Sequence, residues 1–261
     1  MLKNRFGLLL LMSVLVLGLA FLPACSDDDD NPTTPQGDTP PTFVLGAGDQ
    51  IELPQGLQYA NDPNASAVMG YAALANGFTA YTGFFTPPTK AAAADGPPWV
   101  YTWTVTQLPT TDLTFTLTVD ETSDSYTWEY RLDGFDDGDV FDNVVFYEAE
   151  VAKDGSWGEM YIFDPEVSSS DPVLAWEWSE SALGVFTMEM QSFDDDPVYI
   201  EFVVNPDGSG TLDIYEWVAD AWRTVAHYEW TALGNGSYII YNYDGGSNIT
   251  GTCSAGTPTK N

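Results

Sequence analysis

From Trp99 onward apolar and polar residues alternate with a period of two, interrupted at short intervals by turn residues. Tyr101/Trp103/Val105, Phe115/Leu117/Val119, Tyr126/Trp128/Tyr130 and Tyr147/Ala149/Val151 each alternate with Thr, Glu or another polar residue, as strands with one buried face do. Further strands centre near Tyr161, Trp176, Met188, Ile200, Leu212, Tyr228 and Ile240. Turn chemistry separates them at Asp154-Gly155, Asp194 to Pro197, Asn205-Pro206-Asp207-Gly208, Asn235-Gly236 and Asp244-Gly245-Gly246. Connections this short make neighbours in sequence antiparallel neighbours in space. The pattern predicts an all-β fold with one short N-terminal helix, an antiparallel up-and-down meander of about 11–12 strands forming a barrel or a curled half-barrel.

The register follows from spacing. Glu177, Glu189, Glu201 and Asp213 are twelve residues apart, and the midpoints between them fall in the turns. Antiparallel pairing keeps the sum of paired residue numbers constant, so these acids lie side by side across the sheet. Asp154-Gly155 as a two-residue turn places Glu150 opposite Glu159, pairing about Ser168 joins Glu159 to Glu177, and pairing about Ala221 joins Asp213 to Glu229. The predicted row is Glu150, Glu159, Glu177, Glu189, Glu201, Asp213, Glu229. The other face then receives Met160, Ile162, Leu174, Trp176, Trp178, Phe186, Met188, Met190, Val198, Ile200, Phe202, Leu212, Ile214, Tyr228 and Trp230. Burying large side chains at roughly 1.5 to 3 kcal/mol each decides which face is inside.

Upstream of the strands, Asn64 or Ser66 can cap a helix near residues 64–82, with Val68, Tyr71, Leu74, Ala75, Phe78 and Tyr81 at spacings of three and four. Pro87 to Pro98 reads as a loop. Residues 43–261 form a single β-meander domain. Residues 25–42, rich in Pro and Asp, read as a tether reaching about 50 Å at most when extended.

Residues 1–24 read as a signal peptide: Lys3 and Arg5 open it, Phe6 to Leu22 carries no charge, and Leu22-Pro23-Ala24-Cys25 follows. This resembles the lipobox of bacterial lipoproteins, which implies cleavage before Cys25 and acylation of that residue with several lipid chains, including palmitate-type ones. Ser26 and Asp27-Asp28-Asp29-Asp30 resemble the export signal of surface-exposed lipoproteins in the Bacteroidota. The resemblance implies an outer-membrane partner through the lipid anchor and exposure at the cell surface, with the periplasmic face as the alternative.

Lys3 and Arg5 precede Cys25, so the chain from there on carries 39 acidic side chains against 5 basic ones, a formal charge of −34. Nucleic acid is thereby excluded as a partner, because its recognition needs Lys and Arg. With Cys25 lipidated, Cys253 has no cysteine left for an intrachain disulfide. Oxygen-only ligands make Ca²⁺ the cation that the acids would suit, with Glu177, Glu189, Glu201 and Asp213 as one candidate set. The acidic loop Asp133 to Asp139, with Asp136, Asp137 and Asp139, followed by Asp142, is the other. A solvated acidic face is the stronger reading of both, since neither matches a metal-loop spacing.

Catalytic signals are thin. His227 is the only histidine, its strand partners on the polar face would be Tyr215 and Tyr243, and no nucleophile motif accompanies it. Zinc sites rich in histidine are excluded by count. Trp99, Trp103, Trp157, Trp217 and Trp222 lie near strand ends and are candidates for exposed sugar-stacking platforms. The sequence thus points to a non-catalytic binding or structural β-domain on a lipid anchor, with an unassigned ligand. A lipid or lipoprotein carrier or receptor of half-barrel type is the alternative, similar in layout to lipoprotein-sorting carriers, and a surface glycan-binding protein or hydrolase is the second. Cys25→Ala is expected to abolish incorporation of radiolabelled fatty acid and to mislocalise the protein; labelling that persists in the variant would sink the lipoprotein assignment.

Overall fold

The computed structural model divides the chain into Met1–Thr39 and a compact unit, Pro40–Asn261. The residues described are 41, 51–58, 63–77, 92–93, 96–107, 109–164, 168–193, 196–218, 220–243 and 246–255, all in the second unit. The lipobox with Cys25, the aspartate run and most of the tether lie outside the described residues, as do positions 78–82 of the expected helix. Among the described residues, no helix is long and apolar enough to cross a membrane.

Among the described residues two helices, α1 (Gln55–Gln58) and α2 (Pro63–Asn76), precede thirteen strands. These are β1 (Ala92–Ala93), β2 (Trp99–Gln107), β3 (Thr111–Glu121), β4 (Ser125–Asp136), β5 (Asp139–Ala152), β6 (Trp157–Asp164), β7 (Ser168–Glu180), β8 (Phe186–Ser192), β9 (Val198–Val204), β10 (Gly210–Val218), β11 (Ala221–Trp230), β12 (Gly236–Ile240) and β13 (Ile249–Cys253). They form one antiparallel sheet in sequence order from β1 to β13. The ends do not pair, so of the two expected forms the closed barrel is corrected to an open meander. Two strands are additions to the sequence reading. Ala92-Ala93, inside the expected loop, pairs with Tyr101 and Thr102, and Ile249–Cys253 pairs with β12.

Period-two burial holds along the sheet. Met160, Met188, Ile200, Phe202 and Leu212 are essentially inaccessible, and of the fifteen expected core residues only Leu174 and Val198 are half-buried. Three hairpins share one turn, in which the first residue's N–H bonds the carbonyl of the fifth and a glycine N–H bonds the carbonyl of the first. It occurs at Ser181–Val185, Asn205–Ser209 and Thr231–Asn235, with Gly184, Gly208 and Gly234 at positive φ. Glycine is favoured there because a Cβ penalises that conformation.

Helix α2 begins on Pro63, whose missing N–H costs nothing in a first turn. It buries Val68, Ala72 and Ala75, whereas Leu74, expected on the inner face, is 52% exposed. Asn76 fastens its end: the side chain accepts from Ile51 N–H at 2.7 Å and donates to Ile51 C=O at 3.1 Å. Helix α1 sits at the β11–β12 turn so closely that a Cβ on Gly56 would fall 2.0 Å from the Leu233 carbonyl oxygen.

Tryptophans lie over glycines of the neighbouring strand. Gly158 pairs with Trp178, and a Cβ there would stand 2.2 Å from the indole ring. Gly158→Ala should therefore lower stability by about 1–3 kcal/mol, since overpacking forces the ring off its site. A thermal melt checks this, and an unchanged midpoint would show that Trp178 does not occupy the glycine.

Candidate functional site

Three features stand out: the acidic row on the outer face, a cavity on the inner face, and an aromatic cluster at the tip of the β10–β11 hairpin.

The row forms as far as Asp213. Glu150 pairs with Glu159, Glu159 with Glu177, Glu177 with Glu189, Glu189 with Glu201 and Glu201 with Asp213. Its last member is corrected. Asp213 faces His227, and Glu229 faces Thr211, because the β10–β11 hairpin turns ahead of Ala221, a displacement that the register shift between Ile214 and Tyr215 only partly offsets. The connection is also tight: Val218 pairs with Ala221, and Asp220 has a φ of 62°. His227 accordingly neighbours Asp213 and Ile239 in register, not Tyr215 and Tyr243.

Neutral groups, not cations, serve most of these carboxylates. The Ser125 hydroxyl donates to Glu150. The Tyr161 phenol reaches Glu159 at 3.1 Å and Glu177 at 3.4 Å. Tyr199 bonds Glu189, and Tyr215 donates to Glu201 at 3.3 Å. His227 Nδ1 lies 2.8 Å from Asp213. Burial and then the adjacent carboxylates push the Tyr161 phenol well up, and burial, Asp213 and Glu201 push Tyr215 up to about 12. These tyrosines therefore stay protonated and act as donors.

Asp136, Asp137 and Asp139 are not in an open loop. Asp136 ends β4 and pairs with Asp139, Asp137 and Gly138 form a two-residue turn with φ of 49° and 106°, and Asp136 accepts from Thr111 at 2.6 Å. Among the described residues no group of three or more His, Cys, Asp or Glu side chains is arranged to hold a metal ion. The geometry thus adds no support to the Ca²⁺ reading.

The cavity measures about 560 Å³ and lies between Tyr71 of α2 and the inner face of β10–β13. Ile214, Val218, Ala226, Ile240 and Ile249 supply aliphatic walls. Tyr228, Tyr241 and Tyr243 add aromatic ones, while Glu216 and Asn242 contribute polar groups. Arg223 sits 5.2 Å from the Tyr243 ring centre, and the Tyr243 hydroxyl donates to the Thr224 carbonyl at 2.7 Å. The cavity is open to solvent and its accessible lining is divided about evenly between polar and apolar surface; its volume is within the range of small-molecule sites. Sequence reasoning named Ile214 and Tyr228 as core and Ile240 as a strand centre, and the space beside them depends on where α2 packs.

Of the five tryptophans expected as platforms, Trp99 is buried and Trp103 is half-buried in a stack on Phe115, which corrects both. Trp157, Trp217 and Trp222 are exposed. The last two pair across the β10–β11 tip at 5.5 Å and 78°, and Trp222 also meets Tyr199 at 6.1 Å. Comparison with protein-family models and with curated proteins finds no match to this chain.

Glu177 carries a testable signature. Burial, followed by Glu189 and Glu159, raises its pKa above the usual 4.5. A carboxyl raised in the folded state stabilises below its unfolded pKa and loses that contribution as pH rises through its folded one. Glu177→Gln should therefore melt at the same temperature as, or higher than, the parent at pH 7. Its advantage should shrink as pH falls from 7 through the raised folded pKa toward 4.5, and change little below that. An advantage that grows on acidification would contradict the repulsive row.

Proposed function

We propose that this is a non-catalytic, lipid-anchored binding protein of the outer membrane whose β-meander takes an apolar ligand in the cavity beneath α2. The cavity carries the reading: a pocket of about 560 Å³ with aliphatic and tyrosine walls suits an acyl chain or a similarly apolar small molecule, with Asn242 and Glu216 supplying polar contacts. The lipobox at Leu22-Pro23-Ala24-Cys25 supports the anchor, and Ser26 with the four aspartates supports the cell surface as its address. In this reading His227 is a partner of Asp213, with no serine, threonine or cysteine beside it in register.

The same cavity favours one second reading, a carrier that shuttles or receives a lipidated cargo, since a helix over an open antiparallel sheet shares the layout of half-barrel carriers. Native mass spectrometry of the full chain from envelope extracts distinguishes a retained lipid from an empty pocket. Ala226→Trp, which fills the cavity from its inner wall, should weaken binding of a fluorescent fatty-acid analogue at least tenfold. Equal binding by the variant and the parent would remove the cavity as the site.

A further inference from the structure

We propose that the outer face of the β10–β11 tip, built on Trp217 and Trp222, is a docking surface for an arginine-bearing segment of a basic partner protein. It lies across the sheet from the cavity and does not depend on the cavity's ligand.

The ribbon carrying it projects beyond its neighbours. Pairing with β9 ends at Glu216, and pairing with β12 ends at Ala226, so Trp217 and Trp222 lie past both flanking strands. They are 49% and 36% exposed. Their rings meet near-perpendicularly, 5.5 Å apart at 78°. Tyr199 and Tyr215, 5.1 Å apart, brace that pair from the sheet side.

Charge decides the kind of occupant. Glu201 lies beside this cluster, bonded by Tyr215, and the row continues from it in both directions. The chain from Cys25 on carries 39 acids against 5 bases, so an anionic ligand is repelled and a cationic one is drawn in. The molecule already uses this pairing elsewhere: Lys153 lies 5.1 Å from the Tyr126 ring centre and Arg223 5.2 Å from that of Tyr243. The remaining described cation, Arg131, is held by Glu129 at 2.6 Å. Each described Lys and Arg is thus engaged elsewhere, so among the described residues none stacks on the two tryptophans. Guanidinium suits the surface better than ammonium, because its flat, weakly hydrated group stacks on an indole while its edge reaches carboxylates.

The test uses the full chain in detergent with a nona-arginine peptide, a nona-lysine peptide and cellohexaose, read by calorimetry and tryptophan fluorescence. Saturable binding of nona-arginine, several-fold tighter than nona-lysine and weakened at least tenfold in Trp217→Ala/Trp222→Ala, is expected. Trp157→Ala, which removes an exposed indole elsewhere on the outer face, should bind as the parent does. Trp217→Ala alone, at the more exposed ring, and Trp222→Phe, which keeps a ring against Tyr199, should each give intermediate loss with an unchanged melting temperature. Binding that ignores all the tip substitutions would reduce the effect to bulk charge and overturn the proposal. So would cellohexaose binding that needs the tip tryptophans while nona-arginine does not, which would make the surface a glycan platform.

Discussion

Strand register is the constraint on which the rest of this structure hangs. Side chains alternate between faces with a period of two, so a slip of one residue at any hairpin would carry Glu177, Glu189 or Glu201 into the core and turn Met188 or Ile200 into water. The cost of such a slip is large on both counts, since it exposes big apolar side chains and buries unpaired charge. Each shared turn therefore acts as a gauge. With its glycine at positive φ, it sets the length of one hairpin, and the hairpins together set the row.

That row looks unfavourable until its neighbours are counted. Like charges directly opposite one another destabilise a sheet. Here the relief comes from the same face two residues along each strand, where Tyr161, Tyr199 and Tyr215 present hydroxyls to Glu159, Glu189 and Glu201. Hydrogen bonds to charged acceptors are stronger than neutral ones, and a phenol brings no counter-charge to desolvate. The arrangement is a two-row fabric of acceptors and donors, ended at Asp213 by an imidazole.

Much of this was readable from residue order. Twelve-residue spacing of acids and compact turns located six members of the row, and alternation located the buried face. The seventh failed because the β10–β11 chain turns between Val218 and Ala221, ahead of the expected centre at Ala221, and the bulge between Ile214 and Tyr215 makes up only part of the difference, so His227 stands in the place expected for Glu229. Trp99 and Trp217 look alike as aromatic residues near strand ends, yet the first is buried and the second projects from a ribbon that outruns its neighbours. The length of adjacent strands decides between them, and strand ends are where sequence patterns blur. The cavity was hidden for a different reason. It exists because α2 covers part of a wall, and helix placement is a tertiary fact that Tyr71 or Ile240 alone does not encode.

The strictly sequential strand order bears on how the chain reaches this state. Every pairing joins segments adjacent along the chain, so no contact in the sheet has to wait for distant ends to meet. Folding rates fall as the sequence separation of contacts rises, and closed or interleaved β-folds pay that entropy in full. A meander of hairpins can instead zip from any interior turn outward. β13, added last and with one free edge, becomes the strand whose departure disturbs least, and amide exchange along the sheet would rank the strands by their distance from the two ends.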